Sequence, residues 1–122
     1  MKFFKCDKCG HVMLSMNEKC EGVTCCGEDI RILTAGEVDA ALEKHVPSYT
    51  IEGNNVEVVI GEVLHPMEEV HYIEFICYEY DGGYEIKKLN PNDEPKATFA
   101  YKGKGTIYEY CNKHGLWKKE IE

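Results

Sequence analysis

The spacing of hydrophobic and polar positions changes once along the chain. Over residues 37–44, Val38, Ala41 and Leu42 recur at i, i+3 and i+4, which predicts a short helix with one apolar face. Glu37 and Asp39 fall in its first turn, where the helix dipole favours acidic side chains. The helix has to stop near His45, because Val46 precedes Pro47 and is pushed toward extended geometry. Beyond that point, residues 56–60, 72–80, 84–89, 97–102 and 106–110 are rich in β-branched and aromatic side chains and read as strands. The first follows a Gly53-Asn54-Asn55 turn, and the second runs into Asp81-Gly82-Gly83, a hairpin signal. Pro91, Pro95, Gly103 and Gly105 separate the others. Short strands punctuated by turns predict an antiparallel β-sandwich. There is no internal repeat and no low-complexity tract.

Composition narrows this picture. A chain of 122 residues, 43% hydrophobic and 30% charged, can bury a core. The formal net charge of −8 argues against a nucleic-acid partner, whose recognition needs Lys and Arg against phosphates. No apolar run reaches the roughly 18 residues of a membrane span. Met1-Lys2-Phe3-Phe4-Lys5-Cys6 lacks the apolar stretch of a signal peptide, so the expected compartment is the cytoplasm.

The 7 cysteines are an odd count for a disulfide framework, and a reducing cytosol favours metal binding or redox chemistry instead. Cys6, Cys9, Cys20, Cys25 and Cys26 crowd the N-terminal segment, while only Cys77 and Cys111 lie beyond it. This gradient puts a boundary near Thr34-Ala35-Gly36 and divides the chain into residues 1–36 and 37–122. The first piece is too short to build a stable core alone, and a bound metal supplies the missing folding energy.

Cys6-x2-Cys9 with Cys25-Cys26 offers four thiolates for one tetrahedral ion, zinc or iron. Gly10 and Gly27 permit the tight backbone this requires. Adjacent ligands strain the angle at the metal, which a structural zinc site has little reason to adopt. Cys20 is either a free thiol or a substitute for Cys25 or Cys26. A second constellation comprises His45, His65, His71, Cys111 and His114. His65 and His71 bracket a short loop, and Cys111-x2-His114 spans a tight turn. Mixed imidazole and thiolate suits zinc, copper or iron. His11 reads as structural or exposed, within a strand. Trp117 reads as a lid over the site or a core aromatic. Tyr72, Tyr110 and Cys77 read as strand packing.

At this point the residues resemble a known family. Cys6-Asp7-Lys8-Cys9-Gly10 with Cys25-Cys26-Gly27-Glu28 resembles the desulforedoxin module. Glu43-Lys44-His45-Val46-Pro47, His65-Pro66-Met67-Glu68-Glu69-x-His71 and Glu109-Tyr110-Cys111-Asn112-x-His114-Gly115-x-Trp117 resemble the superoxide reductase domain. Together they are similar to the desulfoferrodoxin family. Cys20 and Cys77 fall outside its pattern. The resemblance implies an all-β chain: a small desulforedoxin-like metal-bound module, then an immunoglobulin-like antiparallel β-sandwich with one short helix. It implies two irons, one held by Cys6, Cys9, Cys25 and Cys26. The other has His45, His65, His71 and His114 in a plane, Cys111 axial and the sixth position open. The implied reaction is one-electron reduction of superoxide to hydrogen peroxide. Lys44 would attract the anion and Glu43 would assist product release. A rubredoxin-type donor and a homodimer are implied as well. An electron carrier using only the four-cysteine iron and a zinc-stabilised interaction module are the competing functions.

Overall fold

Every regular element among the described residues is a β-strand. The structure is a computed structural model that describes residues 1–19, 21–36, 45–61 and 66–122. It forms two units, Met1–Thr34 and Ala35–Glu122. The helix expected over residues 37–44 lies outside the described residues, as do Cys20 and His65.

In the first unit, β1 (Lys2–Lys5) is the central strand between β2 (Val12–Ser15) and β5 (Arg31–Ile32). Phe4 pairs with Met13 on one side and Ile32 on the other. Phe3 and Phe4 point to opposite faces of the strand and both are buried, as are Cys6 and Leu33. A separate hairpin joins β3 (Thr24–Cys25) to β4 (Glu28–Asp29). Its two loop residues, Cys26 (φ 53°) and Gly27 (φ 78°), both take left-handed backbone, the signature of a type I′ turn. His11 is not in a strand: β2 begins at Val12, and the His11 carbonyl accepts from the Cys6 N–H to close the preceding turn (2.9 Å).

The second unit has two antiparallel sheets. One contains β6 (Pro47–Glu52), β7 (Asn55–Ile60) and β10 (Lys96–Ala100) in the order β10-β7-β6. The other contains β8 (Ile73–Tyr80), β9 (Gly83–Lys88), β11 (Gly105–Cys111) and β12 (Gly115–Ile121) in the order β12-β11-β8-β9. Val56, Val58 and Ile60 alternate inward from β7 and meet Ile73, Ile76 and Tyr78 of β8 and Ile107 of β11 in one core. That is the period-2 pattern of a half-buried strand.

The β11–β8 ladder is irregular at one place. Tyr110 pairs with Phe75 but Cys111 pairs with Ile73, so Glu74 is passed over. Such a bulge re-aims the side chains beside it, and it sits at the end of β11 that delivers Cys111.

Candidate metal centres

The first centre is built from two tight turns. Cys6 and Cys9 flank a loop closed by Gly10 N–H donating to Cys6 O (2.8 Å), while Cys25 and Cys26 stand at the type I′ hairpin. The left-handed backbone of Cys26 allows adjacent residues to aim their sulfurs at one point. All four sulfurs lie within 4.8 Å of one another. Cys9 and Cys25 Sγ are 3.6 Å apart, and Cys25 and Cys26 Sγ are 3.9 Å apart. A disulfide needs about 2.05 Å, whereas sulfurs about 2.3 Å from a tetrahedral ion stand about 3.8 Å apart. The donor set therefore fits one metal ion. Cys9 and Cys26 are solvent-exposed.

The charge state of these thiols matches that use. The Cys6 thiol is held down to about 7, chiefly by the Cys9 N–H directed at its sulfur. Cys25 is pushed up to about 12 because it shares its proton with Cys9 and Cys6. Cys26 is raised too, first through Cys9. A cation entering the cluster takes the place of those protons. Two ion pairs brace the first knuckle: Arg31 of β5 grips Asp7 with two hydrogen bonds of 3.0 Å, and Lys8 lies 3.4 Å from Glu28 of the second.

The second centre gathers residues from three stretches of chain. His45 lies two residues before the start of β6 and is 1% exposed. His71 lies in the loop before β8, fixed by reciprocal backbone bonds with Glu68 (2.9 and 3.1 Å). Cys111 ends β11, fully buried, and His114 stands in the β11–β12 turn, exposed. One donor atom from each of His45, His71, Cys111 and His114 falls within a 4.8 Å spread. Metal–nitrogen contacts of about 2.1 Å would put opposite donors about 4.2 Å apart, so this set also admits a single ion. Cys111 Sγ is 3.8 Å from His114 Nδ1. The His114 ring meets those of His45 and His71 edge-on, at 4.8 and 5.0 Å between centroids.

Trp117 lies flat on His45, with centroids 5.0 Å apart and planes 15° apart, and its indole N–H donates to His114 O (3.1 Å). Of the two readings of Trp117, a cover over the site is the one realised. Tyr110 is core packing, stacked on Phe75 at 5.8 Å. Cys77 is fully buried in β8. His65, Lys44 and Glu43 lie outside the described residues. Asp7 and Asn112 stand within the motifs quoted from the sequence but receive no role there, and Arg31 and Gly36 receive none either. Their roles depend on pairings between distant segments, for which a single sequence carries no local signal.

Known proteins resemble this chain over nearly its whole length. The family model described as Desulfoferrodoxin matches residues 37–120. The desulfoferrodoxin of Nitratidesulfovibrio vulgaris is 41% identical over 120 residues, covering 98% of this chain and 95% of that protein. The desulfoferrodoxin homolog of Archaeoglobus fulgidus is 41% identical over 119 residues, covering 97% and 95%. Among solved structures, the superoxide reductase from Treponema pallidum aligns with a TM-score of 0.82 at 33% identity, covering 97% of this chain and 96% of that one. The superoxide reductase (1Fe-SOR) from Giardia intestinalis aligns with a TM-score of 0.58 at 31% identity, covering 66% of this chain and 98% of its own. With a family model spanning most of the second unit and relatives matched nearly end to end, this chain belongs to the desulfoferrodoxin family.

Proposed function

We propose that this protein is a superoxide reductase that carries two irons and reduces superoxide to hydrogen peroxide at its second centre. The observation that carries the reading is the convergence of His45, His71, Cys111 and His114 on one point. Relatives named superoxide reductases, from Treponema pallidum and Giardia intestinalis, support an oxidoreductase acting on superoxide. The family match within residues 37–120, and a Giardia protein matched by 66% of this chain, support placing the activity in residues 37–122. Residues 1–36 then form the four-cysteine module.

In this reading His45, His65, His71, His114 and Cys111 hold the catalytic iron, and Cys6, Cys9, Cys25 and Cys26 hold the other. When bound, iron at the second centre supplies the one electron that superoxide accepts, and iron at the first provides a further one-electron site. The chain's own groups do the rest. The buried Cys111 thiolate raises electron density at the metal. The exposed edge at His114 admits an anion and solvent water, through which two protons from the bulk reach the reduced product. Lys44, next to His45 in sequence, supplies the positive charge that attracts the anion and orders the proton-delivering water. Glu43 assists departure of peroxide. The electron donor is a reduced rubredoxin-type carrier, the assembly a homodimer and the compartment the cytoplasm. No helix among the described residues is long and apolar enough to cross a membrane.

Metal analysis, optical spectra and superoxide consumption test this assignment together. Wild type should hold two irons per chain, with a tetrathiolate ferric spectrum and a separate thiolate-to-ferric band. Cys9→Ser should lose one iron and the tetrathiolate spectrum while superoxide consumption persists. His71→Ala should lose the other iron and the consumption. Consumption that survives His71→Ala would place the activity elsewhere, whereas redox activity without superoxide consumption, unchanged by His71→Ala, would favour an electron carrier built on the first centre.

A further inference from the structure

Two of the segments that carry ligands of the second centre, those of His71 and of Cys111 and His114, are joined by one side chain that is not itself a ligand. Where β8 and β11 diverge past the bulge, the ladder ends at the Ile73–Cys111 pair. Asn112 then takes over. Its backbone N–H donates to Tyr72 O (3.2 Å) and its Oδ1 accepts from Tyr72 N–H (3.0 Å). Its Nδ2 donates to Val70 O (3.1 Å). These bonds reach across 40 and 42 residues of chain, and they land on the two residues that flank His71.

From this geometry we infer that Asn112 is a positioning residue for the catalytic metal. It fixes the His71 segment against the turn that presents Cys111 and His114. The requirement is specific. One planar side chain must accept from one backbone group and donate to another, which an amide does and neither Asp nor Leu can. The rings depend on that register: His71 and His114 meet edge-on at 5.0 Å between centroids, each on a different side of the clamp. Without the clamp, the Val70–Tyr72 backbone exchanges two protein hydrogen bonds for water, and the His71 ring has a wider choice of positions. Groups that orient metal ligands typically change metal affinity or activity by about 10–100-fold when removed. The inference rests on His71, Cys111 and His114 binding metal, as proposed above.

The test uses the iron-loaded full-length protein and its Asn112→Ala and Asn112→Asp variants. The readouts are the rate of second-centre iron loss to a chelator and the energy of its thiolate-to-ferric band. The first centre's tetrathiolate spectrum serves as an internal standard for folding. Asn112→Ala should lose the second iron about tenfold faster or more, with a displaced band, while the first centre is unaffected. Asn112→Asp retains the acceptor toward Tyr72 and loses the donor toward Val70, so it should fall between Ala and wild type. It also carries the test if the Ala variant does not fold. Loss rates and band energies equal to wild type in a folded variant would overturn the inference while leaving the metal assignment standing. A wild-type protein without any thiolate-to-ferric band would overturn both.

Discussion

Cys77 and Cys111 are both fully buried thiols on neighbouring strands, and their surroundings give them opposite chemistry. Cys111 stands 3.8 Å from an imidazole at the open end of β11. Cys77 is held within the sheet, paired across strands with Tyr108 and Ile86, and burial pushes its thiol up to about 12. Tyr108 is raised to about 12 for the same first reason, aided by the charge of Glu79. For such acids the linkage sign is fixed. Below the ordinary thiol value near 9 both folded and unfolded chains keep the proton, and the stability associated with the group is fully present. Between that value and about 12 the unfolded chain sheds its proton first, so stability is lost as pH rises. Urea unfolding across pH 8 to 10.5 should therefore show a falling stability, and Cys77→Ala should flatten the fall by up to about 1.4 kcal/mol per pH unit. An identical pH slope in the variant would mean that Cys77 ionises freely in the folded protein. Its assignment to packing was legible from its place between Ile76 and Tyr78 in an apolar run. The roles of Asp7 and Arg31 were not legible, because a bidentate pair across 24 residues exists only once both turns have formed.

Strands in the second unit could be read where burial alternates, as along β7, where Val56, Val58 and Ile60 face the core. β12 was missed because Lys118, Lys119 and Glu120 interrupt its pattern and only Leu116 and Ile121 are buried. β3, β4 and β5 were missed because they are two residues long, too short for any periodicity. β12 nevertheless organises the second centre through Trp117. Gly36 lies alongside it, donating its N–H to Leu116 O and accepting from Lys118 N–H, both at 2.9 Å. A Cβ on Gly36 would stand 2.7 Å from two carbons of the Trp117 ring, which itself stacks on His45. Glycine is required there for a close approach. Gly36→Ala should drive the indole off its position and destabilise the second unit by about 1–3 kcal/mol, the usual cost of overpacking. Trp117 is the sole tryptophan, so its fluorescence reports this place alone. Iron at the second centre should quench it in wild type and quench it less in Gly36→Ala. Equal quenching and equal urea midpoints would show that the ring moves aside at no cost.

Charge is distributed unevenly over the molecule, and this bears directly on an anionic substrate. The first unit has five basic and five acidic side chains, so the formal −8 falls entirely on residues 35–122, with nine basic and 17 acidic. The part of the chain assigned to superoxide thus repels it on average. Screening decides the balance, because fields decay over about 8 Å at physiological salt and only cations close to the centre act on the final approach. Lys44 adjoins His45, one peptide step or about 3.8 Å between Cα atoms. Lys104 is the instructive contrast. It precedes β11, whose far end carries Cys111, and a seven-residue strand spans about 20 Å, more than two screening lengths. Replacing either lysine by alanine changes the net charge equally, so overall charge cannot separate the two variants. Local steering does. Wild-type superoxide consumption should slow as salt is added, because screening weakens an attraction. Lys44→Ala should consume superoxide more slowly at low salt, with a salt dependence that is flat or rising as screening relieves the remaining repulsion. Lys104→Ala should keep the wild-type rate and slope. If both variants shift alike, substrate responds to the field of the whole domain and Lys44 has no special part in it.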